Sequence, residues 1–473
     1  SRGSGSDRPR AVGQGALRTV RPAAIVTEAA ALAQSPLAER AAQVLRQNHD
    51  GVMTRAAPGL YPHQWSWDAA FNAVGWASVD LWTAAGELDA LFAGQWRNGM
   101  VPHIVFSPVT DDYFPGPDVW DCAAVCPDAP PEIRTSGICQ PPVHALAAAA
   151  VHLVGINRPA ARTATRRWLR SLYPRLLAWH RYLVTERRDD RTGLMAIIHG
   201  WESGTDNSPR WDAPYARVVG AGLPGRPRRD LAHVTDAGQR PSDRDYGRYV
   251  TLIQEARARG YDARRVRPRG SFVVGDTLFT AIFAAAGRVL ADLGDSLHGT
   301  ETAETAELRD AAADARRAVL DQVDPATGLA GDVDLRTGQP LRTETIAGFA
   351  PLVAGDVPGP LRRQLIELLL GPRWAGHPAL RWRLPPSTSP ASDSFDPRNY
   401  WRGPVWPVIS WLLSQSLARE GERSAAALIR SETISQLADL NFAEYYEPFT
   451  GEPLGSRDQS WTAAVALDWL AHP

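Results

Sequence analysis

An all-α architecture carrying long loops is the fold class this sequence predicts, on three observations. Stretches rich in Ala, Leu and Trp recur with helical spacing, strand-like alternation is brief, and Pro and Gly collect between the periodic stretches. The periodic stretches are 68–97, 141–155, 163–186, 273–293, 305–323, 404–419, 424–438 and 458–470. Strand-like alternation is confined to places such as 194–199 and 328–336, too little for a Rossmann sheet or a β/α barrel. Segments 107–142, 207–227 and 371–407 read as functional loops over the helical scaffold, because long loops in a compact domain usually bind or cover something. Residues 1–36 read as a disordered or extended tail running into a first helix, since SRGSGSDRP at 1–9 offers nothing to bury. No composition shift divides the remainder, so 37–473 is expected to be a single domain.

A short repeat supports stacked hairpins. An acid, two residues and Thr-Gly occur at Asp189–Gly193, Asp324–Gly328, Asp334–Gly338 and Glu447–Gly451. These are turn chemistries, with Gly available for a positive φ.

The formal net charge is −1, and the charges are dispersed rather than gathered into runs, which points away from nucleic acid and from anionic membranes. A small neutral or singly charged substrate fits better, and homo-oligomerisation is left open. All 51 basic residues are Arg and none is Lys, which excludes a pyridoxal Schiff base, a lysine nucleophile and a P-loop lysine. Cys122, Cys126 and Cys139 are too few and odd in number for a disulfide framework, so a reducing, cytoplasmic setting is expected. They lack a CxxC pair and have only His144 nearby, so no metal and no cofactor is assigned. No apolar run is expected to approach the roughly 20 residues that a bilayer span requires. Gly220, Gly222 and Gly225 satisfy GxGxxG, but Pro224 and Pro227 stand where its helix would begin, so it reads as a loop. GxSxG and HExxH are absent.

The chemistry concentrates in aromatic and acidic clusters. Residues 200–212, GWESGTDNSPRWD, set Glu202, Asp206 and Asp212 between Trp201 and Trp211; residues 441–461 set Glu444, Glu447 and Glu452 among further aromatics. YPHQWSWD at 61–68 and YWRGPVWP at 400–407 add more of the same kind. Indole faces suit the C–H faces of a pyranose, carboxyls held near them have raised pKa values, and two separate carboxyls are what glycoside hydrolysis needs. Asp206 suits a catalytic acid or, equally, a turn or helix N-cap; Glu444 and Glu447 compete for the second role.

The segments GWESGTDNSPRWD, YWRGPVWP and NFAEYYEPFTGEPLG resemble glycoside hydrolase family 63, with a fainter likeness to the trehalases. YPHQWSWD, QWRNGMVPHIVF, TSGICQPPVHA, RPSDRDYGRY and SRDQSWTAA resemble the bacterial members that act on glucosylglycerate and mannosylglycerate, over roughly residues 37–471. The resemblance implies an (α/α)6 toroid with loops covering one end, and an inverting α-glycosidase. Asp206 would then be the general acid and Glu444 the general base, their carboxyls about 6.5 to 9.5 Å apart to admit water. Tyr61, Trp65, Trp67, Asp68, Gln140 and Trp406 would surround the hexose, and Arg240, Tyr246, Tyr400 and Gln459 would meet the leaving group. Tyr113, Trp201 and Trp401 join the expected substrate-binding set. Arg240 beside tyrosines would grip a glycerate carboxylate through paired hydrogen bonds. A sugar-binding toroid without catalysis is the non-enzyme alternative, and a processing-type or trehalase-like glucosidase the second enzymatic one.

Overall fold

The computed structural model of the chain describes residues 35–110, 113–220, 228, 230–234 and 236–472. Most of the expected tail, residues 1–34, and Gly222 and Gly225 of the GxGxxG segment lie outside the described residues. Where description begins, Ser35 caps helix α1 (Pro36–Asn48) by accepting from the Ala38 N–H, with Pro36 in the first turn. Pro36 therefore belongs to the helix and not to the tail.

The periodic stretch at 68–97 forms two helices, α2 (Ser66–Val79) and α3 (Leu81–Ala93). Asp80 separates them: its backbone is extended and its carboxylate accepts from the Trp82 and Thr83 amides, which ends one helix and caps the next. Helix α4 (His144–Ile156) leads to α5 (Arg162–Tyr182), which winds into a π-helical turn at Leu183–Arg187. Helix α6 (Asp243–Arg257) follows, started by a Ser242/Asp245 capping box. Then come α7 (Thr277–His298), α8 (Ala303–Leu320), the short α9 (Ala350–Ala354) and α10 (Gly359–Leu369). Helices α11 (Pro407–Arg419), α12 (Arg423–Gln436) and α13 (Ser460–Ala471) complete the series.

Contacts between these helices run in a circuit. Helix α2 packs on α4, α4 on α7, α7 on α9, α9 on α11, α11 on α13, and α13 back on α2. On the outside α3 backs α2, α5 backs α4, α8 backs α7, α12 backs α11 and α1 backs α13. Burial follows this division. Helix α2 buries every residue from Ser66 to Ala77 and α13 every residue from Ser460 to Trp469, as helices surrounded by protein do. Helix α5 buries a stripe through Leu169, Leu172, Tyr173, Leu176 and His180. Where α13 meets α2, Gly75 admits the approach: a Cβ there would lie 2.4 Å from the Ala464 Cα.

By length and composition α7 is apolar enough to cross a membrane, contrary to the expectation that no such stretch exists. Its burial among α4, α8 and α9 accounts for that apolarity, because a core helix and a membrane helix meet the same composition test.

Both segments expected to alternate do form strands, and two more join them in one sheet. A two-stranded pair of β1 (Gln64–Trp65) and β2 (Ile104–Val105) precedes an antiparallel sheet ordered β3 (Met195–Ile197), β4 (Val274–Asp276), β5 (Asp332–Asp334), β6 (Gln339–Leu341). Strands β7 (Tyr445–Tyr446) and β8 (Pro453–Leu454) form a last pair. All four acid-x-x-Thr-Gly segments are turns in which the Gly N–H donates to the acid's carbonyl oxygen, at 2.8, 2.7, 2.7 and 3.0 Å in chain order. Their glycines have φ of +72°, +78°, +73° and +75°, a region other L-residues enter only at a cost.

Arg210 fastens the 200–212 segment to this sheet. It is buried, and its Nη1 donates to Asp276 Oδ1 and Asp332 Oδ1, each at 3.0 Å. Its Nη2 donates to Thr205 Oγ1 at 2.9 Å, and its guanidinium lies 3.9 Å over the Trp211 ring. Arg210→Met leaves two buried carboxylates without their cation and is expected to lower the unfolding free energy by about 3–5 kcal/mol in denaturant titrations. The deficit should shrink toward acid pH, as Asp276, whose carboxyl burial already raises, takes up a proton; a change under about 1 kcal/mol at pH 7 would refute the clamp.

Candidate active site

The N-terminal ends of two inner helices face one cavity. Trp65 precedes α2 and Gln459 precedes α13, and these two residues share a cup with the first turns of the helices, which supply Trp67, Asp68 and Trp461. The cup and its mouth together hold about 520 Å³ of space free of protein atoms, open solvent included. Its wall contains Asp206, Glu444, Tyr61, Trp65, Trp67, Asp68 and Tyr113. Gln140, Trp201, Arg240, Tyr246, Tyr400, Trp401 and Gln459 complete the expected set in the wall.

Trp406 is the expected residue that does not line it. Its ring stacks behind Trp401 at 3.7 Å and 4°, and against Tyr445 at 4.6 Å, so Trp401 presents the face and Trp406 backs it. Three wall residues were not among those expected to bind substrate: Ala56, Gly204 and Trp461. Gly204, inside the 200–212 cluster, and Trp461, at the end of 441–461, carried a signal, and Ala56 none. Gly204 is required by shape, since a Cβ there would meet the Trp67 ring at 2.6 Å.

The structure sorts the acids that the sequence left open. Glu202 is fully buried and paired with Arg187 at 2.6 and 2.8 Å, and it accepts from the Ile198 and Cys139 amides. Burial works against its ionisation, yet Arg187 and these amides hold its pKa below the usual value. Asp212 forms a two-point ion pair with Arg402 at 2.8 Å. Glu447 caps its own turn, accepting from the Phe449 and Thr450 amides and the Thr450 hydroxyl. Glu452 pairs with Arg398. Of the acids in these two clusters, Asp206 and Glu444 are left facing the cavity.

Asp206 is held by its neighbours' backbone and side chains. Tyr215 Oη donates to the Asp206 carbonyl oxygen at 3.3 Å, Trp211 Nε1 to the Thr205 carbonyl at 3.1 Å, and Asn207 bridges to Asn399 and to the Trp401 amide. Burial pushes the Asp206 carboxyl up to about 7, against a lowering pull from Arg240, with Glu444 adding to the rise. Burial also lifts Asp68 well above the usual carboxylate range, reinforced by Glu444. Glu444 accepts from Tyr61 Oη at 2.8 Å and from the Ser456 amide at 3.2 Å, and its Oε2 lies 3.5 Å from Arg240 Nη1. The arrangement thus pairs a carboxyl that keeps its proton near neutrality with a second one surrounded by donors, which is the division of labour acid–base catalysis uses.

The aromatic lining is cross-braced. Trp65 meets Tyr61 and Tyr113 edge-on at 5.1 Å each, and Trp201 stacks on His103 at 5.8 Å. Gln140 Oε1 accepts the Trp67 amide at 3.2 Å. Cys139, behind Gln140, directs its buried thiol at Glu202, and Cys122 and Cys126 are likewise buried and outside any disulfide. Among the described residues, no three His, Cys, Asp or Glu side chains are grouped as metal ligands.

Residues 61–462 match the family model described as a mannosylglycerate hydrolase MGH1-like glycoside hydrolase domain. The chain is 49% identical over 436 residues to the glucosylglycerate hydrolase of Mycolicibacterium hassiacum, covering 92% of this chain and 97% of that one. It is 40% identical over 431 residues to the mannosylglycerate hydrolase of Thermus thermophilus, covering 91% and 99%. Its structure is similar, with a TM-score of 0.83 and 40% identity, to a family 63 mannosylglycerate hydrolase of Thermus thermophilus in complex with Tris and D-glycerate, over 92% of this chain and 100% of that one. The chain belongs to the MGH1-like glycoside hydrolases of family 63 and is a glycoside hydrolase.

Proposed function

We propose that this glycoside hydrolase cleaves 2-O-α-D-glucosylglycerate to glucose and glycerate with inversion, acting as a single catalytic domain in which the circuit of inner helices is an (α/α)6 toroid. The observation that carries the mechanism is the pairing of Asp206, its carboxyl near 7, with Glu444 in one enclosed cup. Asp206 gives its proton to the glycosidic oxygen as the bond to the anomeric carbon breaks. Glu444 takes a proton from a water that attacks that carbon from the opposite face, so the sugar leaves as the β-anomer and the glycerate hydroxyl is re-formed. Asp68 accepts from hexose hydroxyls, with Trp65, Trp67 and Gln140 around the ring and Trp401 backed by Trp406. Arg240, Tyr246, Tyr400 and Gln459 receive the glycerate, Arg240 through its carboxylate. No cofactor enters the reaction. A reducing, cytoplasmic location belongs to the same reading, supported by the three buried free thiols.

The substrate assignment is supported by the 49% identity to a glucosylglycerate hydrolase. Mannosylglycerate is the second reading, supported by the relatives at 37–40% identity. The two glycosides differ in the configuration of one hydroxyl, which a single contact can discriminate.

Purified protein incubated with glucosylglycerate, mannosylglycerate and trehalose, followed by NMR, should release β-glucose first, from glucosylglycerate; α-glucose first would exclude inversion. Asp206→Asn and Glu444→Gln should each lower kcat by roughly 10²–10⁴ while retaining the fold, the usual contribution of such groups. The kcat/KM profile should fall as pH rises through about 7, where Asp206 loses its proton, and Arg240→Gln should move that fall upward because it removes a charge that lowers the Asp206 pKa. Asp206 has a folded pKa raised above its unfolded value, so its stabilising contribution is complete below the unfolded pKa and is lost as pH climbs through about 7. Thermal scans should therefore show Asp206→Asn gaining Tm relative to wild type between pH 5 and pH 8, and a constant difference would contradict the burial argument.

A further inference from the structure

Arg240 is held by a charge outside the cup. Its Nε lies 3.4 Å from Asp230 Oδ2, and its guanidinium lies over the Tyr400 ring at 4.2 Å and the Tyr61 ring at 5.7 Å. Asp230 is itself gripped at both oxygens by Arg228, through Nε at 3.1 Å and Nη2 at 2.6 Å. Arg228 rests 3.9 Å over Tyr246, a ring of the cup wall. The side chains of Arg228 and Asp230 are each only 5% exposed, and neither residue belongs to the wall.

The distances divide the charges unequally. The short, two-point contact gives most of the Asp230 carboxylate to Arg228. What remains reaches Arg240 at a length near the limit of a hydrogen bond, and the Glu444 contact at 3.5 Å is as long. Among the described residues these two long contacts are the carboxylate partners of Arg240, with the Tyr445 side chain beside it, so it is oriented on its Nε edge while its Nη edge retains the capacity to pair with one more anion. A fixed, incompletely satisfied guanidinium is prepared for a carboxylate in a way that a freely rotating one is not.

We propose that Asp230, anchored by Arg228, is a positioning residue that fixes the Nε edge of Arg240, presents its Nη edge to a carboxylate on the leaving group, and so sets the preference for anionic over uncharged glycosides. This inference rests on the reading of Arg240 as the carboxylate-binding residue. Loss of the Asp230 charge frees Arg240 to turn toward Glu444 and leaves Arg228 to its contacts with the exposed Asp243 and the Tyr246 ring.

Steady-state kinetics on glucosylglycerate and on uncharged glucosylglycerol test it, read as the ratio of the two kcat/KM values. Asp230→Asn should lower that ratio roughly ten-fold, the scale of one charge-assisted hydrogen bond, chiefly through a higher KM for the charged substrate. Asp230→Glu should recover part of the ratio, and Arg228→Gln should shift it in the same direction as Asp230→Asn by less. An unchanged ratio, or an equal loss on both substrates, overturns the positioning role. Arg240→Ala separates the two layers. If it lowers the ratio while the Asp230 and Arg228 variants do not, only the positioning role fails; if it leaves the ratio intact, the carboxylate reading of Arg240 fails and takes this inference with it.

Discussion

A carboxylate cannot be taken out of water without a partner unless it takes up a proton, and the interior of this protein is arranged around that constraint. Glu202 is given to Arg187, Asp276 and Asp332 to Arg210, and Asp230 to Arg228. Asp206 feels one cation, Arg240, whose nearer contacts are elsewhere, while like charges on Glu444 and Asp206 act on Asp68, and burial raises both toward the protonated state. Within the cup, the acids left without a full partner are those that face the cavity, whereas Glu87, also without a cation, is raised to about 7 by burial and held by Thr54 and Gln64 away from it. With Lys absent from the sequence, every cation in these pairs is a guanidinium, whose fork contacts two oxygens or two carboxylates at once, as Arg210 does.

The helical part of the fold was largely legible because its signal is periodic and long. Eight stretches read as helical contain helices, and the break within the first, at Asp80, is marked by a side chain that caps the next helix. Helix α6 was missed because its sequence, DRDYGRYVTLIQEAR, is dense in charge and lies beside a loop-like region; the capping box at Ser242 and Asp245 was its available signal. Helix α10 and strand β4 also went unread. Strand β4 is three residues, VGD, too short for alternation to register, and it exists because β3 and β5 flank it. The acid-x-x-Thr-Gly turns were readable from local chemistry alone, which is why all four took the same geometry.

The site was legible as a set of clusters more than as a set of roles. Within 200–212, three acids looked alike, and what separates them is the identity of distant partners: Arg187 for Glu202 and Arg402 for Asp212. Sequence spacing carries no information on those pairings. Trp406 shows the converse, since its place beside Trp401 in the chain put it in the right cluster but could not say which indole faces inward. The motif resemblance supplied Asp206 and Glu444; the distribution of partners supplies a physical reason for the same choice.

The clamp at Arg210 also bears on the order in which the protein assembles. Arg210 sits four residues beyond Asp206, yet one of its partners, Asp332, lies 122 residues further along the chain. Closing so distant a contact is entropically slow, and it has to wait until the sheet strands carrying Asp276 and Asp332 have met. Before that, the segment bearing Asp206 lacks the carboxylate anchor for its arginine and is left to its contacts with Tyr215, Asn399 and Trp401. The geometry of the loop that bears Asp206 thus depends on the meeting of two strands far from it in the chain, and not on the loop's own sequence alone.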